Sequence, residues 1–133
     1  MKDAVEQLIR SAYRARMAGN VDEIMGHFGD AAHFALNGST AASPFPVAVA
    51  GKAAIREVMG RLVSAFEFSD AEILNLIVEG SDAAVHWRVR IRGPQGGEPV
   101  ETELVDIVRI DGGKIASIKQ FADTALAAHM LKS

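Results

Sequence analysis

The sequence predicts an α+β fold, with helices gathered on one face of an antiparallel sheet. Apolar residues recur with a helical period through the first half of the chain and with a period of two after residue 70. The segments of period two are separated by the turn strings EGSD, GPQGGEP and DGG, the punctuation of a meander. A block of helices followed by a block of strands is the pattern of a layered α+β domain.

Residues 3–18 open the chain as a helix, with Val5, Leu8, Ile9, Ala12 and Met17 at helical spacing and Gly19 as its stop. Asn20 followed by Glu23 makes a capping box for a short second helix through Phe28, with Val21, Ile24, Met25 and Phe28 as its core residues. AAHFAL (31–36) reads as a strand, and NGSTAASPFPVAVA (37–50) as an uncharged loop with a few extended residues at 46–50. The next segment carries the clearest helical stripe, Ile55, Val58, Met59, Leu62, Val63 and Phe66. Four strands follow at 70–80, 82–93, 99–110 and 114–122, and TALAAHML can close the chain as a short helix. The result is three helices with one early strand, then a four-stranded antiparallel meander.

At 133 residues the chain is long enough for one domain, 1–133, and short of two. A net charge of -3 without a basic run argues against nucleic-acid binding. With no cysteine there is no disulfide or thiolate metal site, and the four histidines lack metal-ligand spacing and a carboxylate partner in register. No stretch is long and apolar enough to span a membrane, and the start is not of signal-peptide type, so the expected setting is cytoplasmic. No P-loop, GxGxxG or G-x-S-x-G occurs, and neither metal nor cofactor is expected.

The most informative stretch is ETELVDIVRIDGGK (101–114). Strand alternation places Asp106 among Leu104, Val108 and Ile110, the middle of an apolar face, where an unpaired carboxylate is costly. The preceding strand divides into Val85, Trp87, Val89 and Ile91 on one side and His86, Arg88, Arg90 and Arg92 on the other. Pairing the two strands with matching faces sets Arg90 opposite Glu101, Arg88 opposite Glu103, Trp87 opposite Leu104 and Asp106 opposite Val85. The arginines then read as a structural charge ladder rather than a phosphate site. Asp106 comes within reach of the Trp87 indole, and burial without a cationic partner raises its pKa. Two readings follow: a general acid or oxyanion stabiliser at a pocket floor, or an Asp satisfied by Trp87, Gln120 or a buried water in a structural role.

Three strings, AGNVDEIMGHFGDAAHF (18–34), GKAAIREVMGRL (51–62) and VDIVRIDGGKIASIKQFAD (105–123), resemble in order and spacing the NTF2-like superfamily, specifically its ketosteroid-isomerase-like and SnoaL-like members. The resemblance covers nearly the whole chain. It implies a cystatin-like cone, with three N-terminal helices packed on a curved antiparallel sheet, an apolar pocket and a homodimer formed through the sheet. The isomerase pattern has an Asp base and an oxyanion hole of Tyr and protonated Asp. Carried onto this chain, the Tyr position falls on Ala12, with Tyr13 one residue off and turned by about 100°. The base position falls on Leu36, beside Asn37, and the protonated Asp on Asp106, so one of the three is kept.

The resemblance implies a pocket lined by Phe34, Leu36, Asn37, Met59, Val63, Trp87, Val89, Leu104, Asp106, Ile118 and Gln120. The last strand is open to a one-residue slip that would put Lys119 rather than Gln120 beside Asp106, with the opposite effect on its pKa. Two functions are carried forward. One is an isomerase- or cyclase-type protein that binds a hydrophobic carbonyl compound, with Asp106 as its lone general acid or base. The other is a non-catalytic dimerisation or ligand-binding module.

Overall fold

The computed structural model describes residues 2–37 and 47–132. Its elements are α1 (Lys2–Ala18), α2 (Val21–Gly26), β1 (Phe28–Asn37), β2 (Val47–Ala50), α3 (Lys52–Ala65), β3 (Glu67–Glu79), β4 (Asp82–Gly93), β5 (Gly96–Asp111), β6 (Lys114–Phe121) and α4 (Thr124–Lys132). The α+β class holds, with the closing helix present as α4. The sequence-predicted loop at 37–50 contains a short strand, β2, and its residues 38–46 lie outside the described residues.

The local signals at the first two helices act as their chemistry requires. Gly19 takes φ +69, and its N–H donates to the Arg16 carbonyl while that of Asn20 donates to Ala15, the paired bonds of a Schellman stop. Asn20 then caps α2 by accepting from the Glu23 backbone N–H at 3.1 Å. The second helix ends two residues before the Phe28 expected from periodicity. Phe28 instead begins β1 beside Ile115, and the Ile115 N–H donates to the His27 carbonyl at 2.8 Å. A distant strand, invisible to local pattern, claims the end of the helix.

Six strands form one open sheet in the order β2-β1-β6-β5-β4-β3. The expected antiparallel meander runs from β3 to β6, but β1 joins β6 in parallel, so the sheet is mixed rather than wholly antiparallel. The β4–β5 register is the one the alternation predicts, with Val85 opposite Asp106, Trp87 opposite Leu104 and Arg90 opposite Glu101. Strand β3 starts earlier than expected and carries two irregularities, at Asp70–Ala71 and at Leu74. Asp70 has φ +51, and each irregularity adds one residue against β4. Such bulges bend a strand and increase its twist. Here they also keep Phe68, Ile73, Leu76 and Val78 packed against the core although simple alternation would have split them.

The concave face receives the helices. Val5, Ile9, Ala12 and Ala15 of α1 and Ile55 and Met59 of α3 are buried against Val85, Trp87, Val89, Leu104 and Val108 of the sheet. The outer face carries the charge ladder, with partners other than those the register alone suggested. Arg88 pairs with Glu72 at 2.7 Å and reaches diagonally to Glu101 at 3.7 Å, while Glu103 is taken by His86 at 2.6 Å. Thus His86 has a carboxylate partner after all. Long side chains choose between opposite and diagonal neighbours, so backbone register does not fix ion pairs. Among the described residues no helix is long and apolar enough to cross a membrane.

Candidate functional site

Asp106 is 2% exposed and is the one buried charged residue among those described. Its Oδ2 accepts hydrogen bonds from the Tyr13 hydroxyl and from Trp87 Nε1, the latter at 3.1 Å. The Tyr13 and Trp87 rings meet edge to face, with centroids 5.2 Å apart and planes at 88°. Phe68 also packs on the indole, with ring centroids 5.8 Å apart and planes tilted at 57°. An aromatic wall thus holds one carboxylate oxygen in place. The other oxygen, Oδ1, is buried and has no hydrogen-bond partner. An unmet buried acceptor of this kind is costly in a purely structural role.

Tyr13, which residue counting set one residue away from the tyrosine position of the isomerase pattern, reaches Asp106 nonetheless. Residue counting placed that position at Ala12, but the rotation of α1 is set by packing. With Val5, Ile9, Ala12 and Ala15 turned to the core, Tyr13 stands on the flank of the buried stripe, one turn after Ile9. A phenol is long enough to make up the offset. Helical spacing from Ile9 was the available signal, and Arg16, one further turn along and likewise missed, follows from the same reasoning.

Gln120 rather than Lys119 faces Asp106, and the reason is a single irregularity. The Gly112–Gly113 turn, both residues at positive φ, fixes Asp111 opposite Lys114. Continued without interruption, that register would set Lys119 across from Asp106. Ala116 is an extra residue between the Ile110–Ile115 and Arg109–Ser117 pairs, and beyond it Gln120 stands opposite Asp106. Lys119 is exposed on the outer face, with its Nζ 5.6 Å from the centre of the Phe121 ring.

These neighbours decide the charge state. Burial dominates and raises the Asp106 pKa from 3.8 to about 6. The bond from Tyr13, the nearby amide of Gln120, the bond from Trp87 and the charge of Arg16 all pull the other way. Gln120 exerts this pull although no donor completes a hydrogen bond to Oδ1. Burial, and then the charge and hydrogen bond of Asp106, push the Tyr13 pKa well above 10.0, so the phenol stays a neutral donor.

Two cavities meet at this point. The first, about 40 Å³, is lined by Tyr13, Phe28, Phe34, Met59, Trp87, Asp106, Ile118 and Gln120 among others. The second, about 60 Å³, is lined by Leu36, Phe68, Ile91, Thr102, Leu104 and Gln120 among others. Arg16, Leu62 and Gln120 border both. Of the residues expected in the pocket, Phe34, Met59, Trp87, Ile118 and Gln120 surround Asp106 in the first cavity, while Leu36 and Leu104 lie in the second. Val89 is fully buried in the packing and lines neither. Val63 borders neither cavity but a surface groove beside Gly19, which Arg16, Phe66 and Phe68 also line. Asn37 is exposed at the end of β1, because alternation turns it away from the side of Leu36. Among the described residues no group of three or more His, Asp or Glu is placed to hold a metal ion.

Residues 9–118 match the family model of the SnoaL-like domain, which covers most of the chain. The protein belongs to the SnoaL-like family. Its fold is shared by solved structures. An NTF2-like protein from Burkholderia xenovorans is 17% identical, with a TM-score of 0.79 over 96% of this chain and 95% of that one. An LEH-like epoxide hydrolase from M. tuberculosis is 13% identical, with a TM-score of 0.75 over 98% of this chain and 93% of the other. A protein of ketosteroid isomerase-like fold from Catenulispora acidiphila, solved with trimethylamine, is 13% identical, with a TM-score of 0.75 over 91% and 90%. At such identities these likenesses show the fold of the SnoaL-like chain and leave its chemistry to its own residues. No curated protein matches the sequence.

Proposed function

We propose that this SnoaL-like protein binds a small, mostly apolar carbonyl compound and moves a proton on it, as an isomerase or cyclase does, with Asp106 as the lone general acid and base. The observation that carries this reading is the division of labour within one carboxyl group. Oδ2 is held by Tyr13 and Trp87, whereas Oδ1 is buried and unpartnered on a residue lining the first cavity. A pKa of about 6 suits both directions of transfer near neutral pH. The carboxylate takes a proton from the carbon beside a carbonyl, and the resulting acid returns it elsewhere on the same molecule. Leu36 occupies the position of the second carboxylate in the isomerase pattern, so one group performs both halves. On the measure by which a single water needs about 10–15 Å³, the cavities of about 40 and 60 Å³ each have room for more than one.

Small ketones incubated with the protein in heavy water are expected to exchange their α-protons faster than in buffer alone, as followed by NMR, and Asp106→Asn is expected to abolish the acceleration. No acceleration with any ketone, together with an ordinary carboxyl pKa for Asp106, would overturn the proposal.

A second reading, a dimerisation module, draws support from the outer face of the sheet. Ile77, Val105, Ile107 and Phe121 are 65%, 37%, 46% and 41% exposed. Val105 pairs with Phe121, and Ala84 stands between Ile77 and Ile107 in the register, so these side chains form one apolar area. A homodimer through this face is compatible with the proton-transfer role. Sedimentation is expected to give twice the 14.2 kDa chain mass, with Ile107→Lys giving the monomer; a monomeric wild type would refute it.

A further inference from the structure

Of the three half-buried arginines among the described residues, Arg16, Arg88 and Arg92, Arg16 is the one with no carboxylate partner. Arg88 and Arg92 pair with Glu72 and Glu67, and the exposed Arg56, Arg61 and Arg109 are paired too, while the exposed Arg10, Arg14 and Arg90 stand in water without an ion pair among the described residues. Arg16 points inward from α1, where its guanidinium carbon stands 3.9 Å from the centre of the Phe68 ring. Among the described residues no carboxylate comes within ion-pair distance of it, and its N–H groups meet no acceptor. Asp106 is near enough for each charge to act on the other, but not near enough to bond. Arg16 is thus an exception to the usual rule, by which charges drawn out of water are paired and exposed ones need not be. Stacking on Phe68 orients the plane of the guanidinium but satisfies none of its five donors.

Arg16 also stands at the junction of the two cavities, with Leu62 and Gln120. A molecule occupying either cavity therefore meets a planar cation with free donors, the Gln120 amide, and walls that are otherwise mostly apolar apart from Tyr13 and Asp106 in the first cavity and Thr102, Asp123 and Thr124 in the second. A guanidinium matches a carboxylate in shape and pairs with it through two parallel hydrogen bonds. Asp106 narrows the choice of orientation, because its own negative charge repels a second carboxylate from Oδ1.

From this placement we infer that Arg16 is a binding residue for the carboxylate of a small, otherwise apolar organic acid, whose uncharged carbonyl end is thereby directed toward Asp106. The inference rests on the proposed role of the cone as a binding site and names its substrate class, an apolar oxo acid rather than a neutral ketone. The carboxylate neutralises Arg16 at the junction. The apolar remainder fills the first cavity, and the carbon beside the ketone comes to Oδ1.

Trp87 is the sole tryptophan of the chain and lies in the cavity wall, so its fluorescence reports occupancy directly. The probes are matched pairs differing in one group, benzoate with benzamide and isobutyrate with isobutyramide. In the wild type the acid is expected to bind about tenfold more tightly than its amide, the effect of a charge-assisted bond pair. Arg16→Met keeps the apolar stem and is expected to erase that preference, weakening the acid far more than the amide. Arg16→Lys, which keeps the charge without the planar fork, should retain part of it. Equal binding of acid and amide by the wild type would overturn the assignment while leaving the apolar pocket standing. Binding of neither would overturn both. Retention of the acid preference in Arg16→Met would confine Arg16 to its stacking on Phe68. The wild-type comparison decides the matter even if a variant fails to fold.

Discussion

Asp106→Asn is expected to stabilise the protein at neutral pH, by up to about 3 kcal/mol, and to have little effect near pH 4. The sign follows from the direction of the shift. The folded-state pKa of about 6 lies above the ordinary 3.8, so the folded state binds this proton more tightly than the unfolded chain does. The stabilisation from that proton is fully present below pH 3.8 and is lost as the pH rises through about 6, where the buried group ionises. Two pKa units, at about 1.4 kcal/mol each, set the upper bound. Asparagine stays neutral throughout, and its carbonyl can still accept from Tyr13 and Trp87. The amide that replaces Oδ1 gains no partner, which returns part of the gain. Urea denaturation of both proteins from pH 4 to 8 checks this by difference, cancelling the titrations they share. A wild type more stable than the variant at pH 8 would refute it. Stability surrendered to keep an ionisable group in an apolar site is the pattern of a functional residue.

The second large effect is expected at Trp87. The side chain is 2% exposed, packs edge to face with Tyr13, lies against Phe68 and donates to Asp106. Trp87→Ala removes an entire buried indole between α1 and the sheet, and a loss of about 3–5 kcal/mol is expected by chemical denaturation. A loss under about 1 kcal/mol, the ordinary range of minor substitutions, would contradict the packing. Trp87→Phe separates volume from hydrogen bonding. It fills most of the space but deletes a donor that pulls the Asp106 pKa down, so that pKa is expected to rise further above 6. Carbon-13 NMR of the Asp106 carboxyl gives the midpoint, and a downward move would rule out the assigned role of the indole.

Much of this architecture was legible because it is periodic or local. The stripe from Ile55 to Phe66, the stop at Gly19 and the cap at Asn20 each follow from residues within a turn or two of one another. The β4–β5 register was equally legible. A slip of one residue in β5 would have turned Leu104, Asp106 and Val108 to the outer face while Trp87 stayed inside, so the apolar pattern allows one answer. The ion pairs on that sheet were not legible, since Arg88 had Glu72, Glu101 and Glu103 within choice and took the first two. Nor was the parallel placement of β1 beside β6, a contact between strands far apart in sequence with nothing local to announce it.

The same division runs through the site. The sequence by itself determined that Asp106 lies on an apolar face beside Trp87, because side chains on a strand alternate and a misplaced carboxylate stands out. Only the tertiary structure decided its company. The rotation of α1 brought Tyr13 to Oδ2 and Arg16 to the junction of the cavities, and a helix's rotation depends on everything packed against it. One extra residue, Ala116, turned Gln120 inward and Lys119 outward, and no propensity of alanine marks a bulge. With Lys119 inside, a buried ion pair would have held Asp106 ionised. With Gln120 there instead, burial prevails and leaves the acid poised between its two charge states.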